Sequence, residues 1–173
     1  MNFPPLIAEL HQREFDYADG EGMDFEPFQS FLPPEEVQDW FKAWTGNKDA
    51  DGSKFLVFGK DGSGGFAAIW LANESAAVLD QPVVFMGSEG ETGVVAKNFD
   101  DYLWLLASGH GPYEAVAYPD DSKAKSQIFA EFARAHSGST ARAPSELLAA
   151  ANSAYPAFKN WVESQCRSIR AVA

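Results

Sequence analysis

Apolar positions change spacing along the chain, and each change coincides with a turn signal. Between residues 55 and 109 the order is Phe55-Leu56-Val57-Phe58-Gly59, Gly65-Phe66-Ala67-Ala68-Ile69-Trp70-Leu71-Ala72, Pro82-Val83-Val84-Phe85-Met86-Gly87, then Gly93-Val94-Val95-Ala96-Lys97. Short β-branched and aromatic runs bounded by Gly, Asp and Ser predict strands of period 2 arranged as an antiparallel meander. The turns Asp61-Gly62-Ser63-Gly64-Gly65 and Ser88-Glu89-Gly90-Glu91-Thr92-Gly93 supply the residues that tight reversals need.

Elsewhere the spacing is helical. Val37, Trp40, Phe41 and Trp44 fall at i, i+3, i+4 and i+7 over 33–45, with Glu35, Glu36 and Asp39 toward the positive end and Gly46 as the stop. Such a stripe of large aromatics reads as core. Phe99, Leu103 and Leu106 define a helix over 99–108 with Asn98 as N-cap and Gly109 as C-terminal stop. Leu6, Ile7 and Leu10 predict a short helix within 4–15, and 16–26 reads as an acidic loop. Ile128, Phe129, Phe132 and Ala133 predict a helix over 121–136 capped by Asp121 or Ser122. Two more follow, over 144–152 and from 156 onward, the latter with Phe158, Trp161, Val162, Cys166 and Ile169 on its apolar face. The fold class is therefore α+β: a single antiparallel meander sheet flanked by helices, with a helical C-terminal third.

The ordered set of elements resembles the SUKH superfamily, the Smi/Knr-like domains named for fungal cell-wall-synthesis regulators and found in bacteria as immunity proteins against secreted toxins. The resemblance rests on Leu32-Pro33 opening a helix, Gly46-Asn47 closing it, Phe58-Gly59 with the Asp61–Gly65 turn, and Val83-Val84-Phe85-Met86-Gly87. Its last piece is Val94-Val95-Ala96-Lys97-Asn98-Phe99 running into Asp100-Asp101-Tyr102-Leu103-Trp104-Leu105-Leu106. It implies one domain over 1–173 with a family core at about 31–109, and a protein that binds another protein and is not an enzyme. Residues 1–28 and 112–173 carry no motif of the family, which leaves the choice of partner open.

Composition narrows the function classes. The chain has 173 residues, 46% hydrophobic and 14% aromatic, enough for a sizeable core without disulfide or metal staples. Cys166 is the single cysteine, which excludes an intrachain disulfide; with no apolar leader at the start, a cytoplasmic setting is expected. A net charge of −12, from 25 acidic and 13 basic residues, disfavours nucleic acid and anionic membranes as ligands. The charge is uneven, with 22 acidic against 6 basic residues through Asp121 and 3 against 7 beyond it. Such a dipole steers a basic partner toward the front of the chain.

No motif for catalysis or for a cofactor emerges. Asn47-Lys48-Asp49-Ala50-Asp51-Gly52 imitates the opening of a calcium loop, but Phe58 stands where a bidentate Glu is required and a strand follows. The Asp61–Gly65 run lacks the Lys-Ser/Thr of a phosphate loop. His11, His110 and His136 have no second His or Cys at ligand spacing, although His110 sits in Gly109-His110-Gly111-Pro112, expected to be an exposed loop. Cys166 is expected to be a buried, inert thiol. The carboxylate pairs Glu35-Glu36, Asp100-Asp101 and Asp120-Asp121 all stand at expected helix starts, where about 0.3–1 kcal/mol of dipole interaction per group explains them.

Three functions stay open at this point. The first is an immunity-type protein that neutralises a toxin domain, such as a basic nuclease, through loop-borne acids: Asp19, Glu21, Asp24, Glu26, Asp49, Asp51, Glu89 and Glu91. The second is a regulatory or scaffold module for an endogenous partner, and the third a small hydrolase or metal-dependent enzyme built on His110. Monomer and homodimer are equally compatible with the sequence.

Overall fold

A computed structural model describes residues 2–166. Seven helices, α1 (Pro5–Leu10), α2 (Pro34–Thr45), α3 (Phe99–Ala107), α4 (Pro112–Ala117), α5 (Gln127–His136), α6 (Pro144–Ala154) and α7 (Phe158–Gln165), surround five strands. The strands β1 (Glu26–Pro27), β2 (Phe55–Lys60), β3 (Phe66–Trp70), β4 (Val83–Met86) and β5 (Thr92–Ala96) form one sheet in chain order, every pair antiparallel. The α+β meander expected from the pattern is what the chain forms.

Both faces of the sheet are buried, which is why the strands read as nearly continuous apolar runs. Phe58, Ala67, Ile69, Val83, Phe85 and Val95 face a core shared with α1, α3, α5 and the start of α6. Their neighbours Phe55, Val57, Ala68, Val84, Met86 and Val94 face a second core completed by α2 and α7. The alternation crosses between Val57 and Gly59, where a bulge shifts the β2–β3 register. On that second face Trp40 and Trp44 of α2 lie partly buried, and the Trp44 indole N–H donates to the Gly87 carbonyl at 2.7 Å.

The sheet edges are closed by the sequence itself. Helix α6 packs along β5, with Leu147 and Leu148 in the first core and Ala151 in the second. The small side chain of Ala151, buried at the approach, lets the helix lie close against this edge and cover it. Strand β1 at the other edge is two residues long and ends in Pro27, which has no N–H to offer.

Three sequence expectations are corrected here. The helix expected over 121–136 begins only at Gln127, where the Ser126 hydroxyl accepts from the Phe129 N–H; Asp120 and Asp121 lie in an exposed turn, not at a helix start. Residues 112–117 form α4, which the sequence reading passed over, and Glu26 at the end of the acidic loop enters strand β1. Asn98 caps α3 as expected, accepting from the Asp101 N–H at 3.0 Å. Ile169, placed by its spacing on the last helix, lies outside the described residues.

Candidate functional site

The acidic segment after α1 is an ordered loop. Asp16 and Met23 close it, the Met23 N–H donating to the Asp16 carbonyl at 2.9 Å, and the Asp16 carboxylate accepts from the Ala18 N–H at 2.8 Å. A side chain at Gly22 would place its Cβ 2.0 Å from the Asp16 carbonyl oxygen, so only glycine permits the closure. Ala18 and Asp19 sit in the left-handed region with φ of 46° and 53°, a conformation that costs a non-glycine residue on the order of 1 kcal/mol. Asp19 and Glu21 are thereby held outward, exposed at the tip beside Tyr17.

The base of this loop is tied to the rest of the fold through carboxylates. Glu114, 4% exposed, accepts from the Asp24 N–H at 2.8 Å with one oxygen and from the Gly111 N–H at 3.1 Å with the other. The Asp24 carboxylate in turn accepts from the Gly62 N–H at 2.8 Å, linking the loop to the β2–β3 turn. Glu26 pairs with Lys60 at 3.4 Å across β1 and β2. Asp24 and Glu26 therefore do structural duty, whereas Asp19 and Glu21 have no ion-pair partner among the described residues.

The two hairpin turns meet at the same end of the sheet. Asp61, 2% exposed, accepts from the N–H groups of Ser63 and Gly65, and the Ser88 hydroxyl donates to that of Ser63 at 3.0 Å. Glu89 projects into solvent and Glu91 is half-buried. Beside them lie Tyr113 and Tyr118. The Tyr113 phenol is pushed up to about 12 by its hydrogen bond to Tyr118, then by burial and by the negative charges of Glu91 and Asp61, so its proton stays in place at neutral pH.

Asp49 and Asp51 stand apart. They precede β2, whereas Asp61 follows it, so about 20 Å of strand separates the two groups. The Asp51 carboxyl is held below its ordinary range, chiefly by the Ser53 N–H. Asn47 accepts from the Asp49 N–H and donates to the Gln165 carbonyl, so the stretch that imitates a calcium loop is a hydrogen-bonded connector. Of the eight acids predicted from sequence, the structure gathers Asp19, Glu21, Asp24, Glu26, Glu89 and Glu91 around the turn-bearing end and its adjoining loop, and leaves Asp49 and Asp51 at the far end.

Between the acidic loop and the start of α5 runs a groove of about 430 Å³. Glu14, Asp16 and Glu21 form its acidic side, and Met23, Ile128 and Phe129 its apolar part. Glu114, Tyr113 and Tyr118 carry no expectation from the sequence, and Ile128, expected on the apolar face of α5, is exposed. For the first two the signal was present: Pro112 followed two residues later by Glu114 marks a helix start.

The other candidates resolve into structural roles. His110, expected in an exposed loop, is 2% exposed: its ring nitrogens meet the Ser108 hydroxyl and the Asp121 main-chain carbonyl, each at 3.1 Å. Gly109, with φ of 89° and the Ala124 carbonyl 2.3 Å from where its Cβ would stand, packs this corner tightly. Cys166, expected to be buried on the last helix, instead stands just past the end of α7 with intermediate exposure, and partial burial, with Glu163 second, pushes its thiol up, away from a reactive thiolate. Asp101 is fully buried at the start of α3, where Arg142 and Ser139 donate to it and Lys97 lies 4.0 Å away. It clamps the segment before α6 onto α3. Among the described residues no group of three or more His, Cys, Asp or Glu is placed to hold a metal, and no helix is long and apolar enough to cross a membrane.

No protein-family model, curated protein or solved structure matches the chain.

Proposed function

We propose that this protein is a non-enzymatic binding domain of the immunity type, acting in the cytoplasm to capture and neutralise a basic toxin domain. The observation that supports it most directly is the preorganised acidic loop. Asp19 and Glu21 are presented at its tip by a closed, partly left-handed backbone, free of ion pairs among the described residues. The resemblance of residues 31–109 to SUKH domains points the same way.

The physical argument concerns rate as much as affinity. A net charge of −12, with its excess on the front of the chain, raises the frequency of encounter with a cationic surface. An inhibitor that must reach a toxin before the toxin reaches its substrate gains from such steering, and a loop already in its bound shape loses little entropy on docking.

The test is co-expression with the effector encoded by the adjacent gene. The parent protein restores growth, and the double variant Asp19→Lys, Glu21→Lys, folded and equally abundant, loses that protection. Equal protection by both proteins contradicts the role of the loop. Growth inhibition that the parent does not relieve contradicts the immunity reading.

A further inference from the structure

The groove between the acidic loop and α5 combines two features. One is charge of a single sign: Glu14, Asp16 and Glu21 line it, and no Lys or Arg does. The other is accessible apolar surface. Ile128, second residue of α5, is 49% exposed, and the buried Met23 and Phe129 form the apolar floor of the groove beside it. Ile128 belongs to none of the core clusters, so its exposed face is open to a partner.

Surfaces of this composition, an apolar centre with charge at the rim, are what protein interfaces present. The apolar patch rewards burial of a complementary side chain, and the carboxylates select the residues on either side of it. At about 430 Å³ the groove takes a few side chains, not a folded domain. Neither wall can shift readily. The loop is closed by the Met23–Asp16 hydrogen bond, and the opposite wall is fixed where the Ser126 N–H donates to the Ala107 carbonyl at 3.0 Å.

We infer that this groove docks an amphipathic cationic segment of the partner, seating a large aliphatic side chain against Ile128 and Met23 while flanking Lys or Arg residues pair with Glu14, Asp16 and Glu21. The inference rests on the proposed function for the identity of the partner and adds the part of the surface that confers selectivity. Lys123 and Lys125 border Ala124 on the far wall, so the cations of the segment lie on the loop side.

The probe is a synthetic peptide of Leu and Lys at amphipathic helical spacing, with two controls: Leu replaced by Ser, and Lys replaced by Glu. Amide resonances of the whole protein are followed on titration. The Leu/Lys peptide shifts Met23, Gly109, Ile128 and Phe129 and binds at least roughly tenfold more tightly than either control, and Ile128→Asp removes that advantage. An acid near a helix start is favourable, and the dispersion of the amide spectrum of Ile128→Asp, matching that of the parent away from the groove, verifies its fold. Equal binding of the Ser/Lys control, shifts spread over Asp49, Asp51 and Glu89, or unchanged binding by Ile128→Asp overturns the assignment.

The toxin assay separates the two levels of argument. Protection retained by Ile128→Asp but lost with Asp19→Lys, Glu21→Lys removes the groove and leaves the immunity reading standing. Peptide docking at Ile128 without any protection of cells removes the immunity reading and leaves the groove.

Discussion

His11 shows how a single side chain couples the fold to pH. It is 4% exposed and ringed by Phe3, Phe15, Phe25 and Phe58. Nδ1 donates to the Phe28 carbonyl, while Nε2 is buried with no partner. Burial lowers its pKa, and the Phe28 hydrogen bond opposes that only in part. The neutral ring is therefore the native form. Above the unfolded value of about 6.5 the contribution is complete; as pH falls through 6.5 toward the depressed native value, the unfolded chain takes up the proton first and stability falls. Every tenfold weakening of proton affinity corresponds to about 1.4 kcal/mol. Urea unfolding at pH 7.5 and pH 5 checks this: His11→Gln is expected to lose less stability between the two than the parent does. A parent whose loss on acidification is no greater than that of the variant contradicts it.

Elements carry the clearest record of what the chain makes legible. Strands β2 to β5, α2 and α3 stand where the spacing placed them, because each has an apolar pattern interrupted by a residue with one conformational meaning, such as Gly46 with φ of 62° or Asn98 as a cap. Helix α4 escapes a periodicity reading because six residues, under two turns, are too short to show a period, and the early start expected for α5 arises because Asp121 and Ser122 imitate a cap. The candidate site was legible only in its charges. Which acids project and which brace the fold depends on partners distant in sequence, as when Glu114 accepts from the Asp24 N–H, and no local pattern encodes such pairings.

The closed loop from Asp16 to Met23 yields a prediction at the same scale. Gly22→Ala brings a Cβ against the Asp16 carbonyl and forces the loop open. The Met23 amide is expected to lose its protection from hydrogen exchange, with a loss of about 1–3 kcal/mol in stability, while the buried amides of β3 and β4 keep the order of protection they have in the parent. Undiminished protection at Met23 contradicts the closure.

For the whole molecule, the arrangement is a sheet covered on both faces by helices, with one end given over to turns and carboxylates. The two cores lie on opposite faces of the sheet, and α6 bridges them across the β5 edge. Apart from the buried Asp61, Asp101 and Glu114, the carboxylates lie at least partly exposed outside this apolar body. Among the described residues, only Glu9, Glu26, Glu74 and Asp101 engage a cation within ion-pair distance. The unneutralised remainder sets a negative field of the kind that the proposed capture of a basic partner requires.

The rate of association with the purified effector, followed by stopped-flow fluorescence as salt is raised, tests this account most directly. For the parent, the rate constant is expected to fall by about tenfold or more between low and physiological ionic strength, and Asp19→Lys, Glu21→Lys is expected to flatten that dependence while leaving thermal stability within about 0.5 kcal/mol. A rate indifferent to salt, or a salt dependence that the double variant shares in full, contradicts capture through the acidic loop.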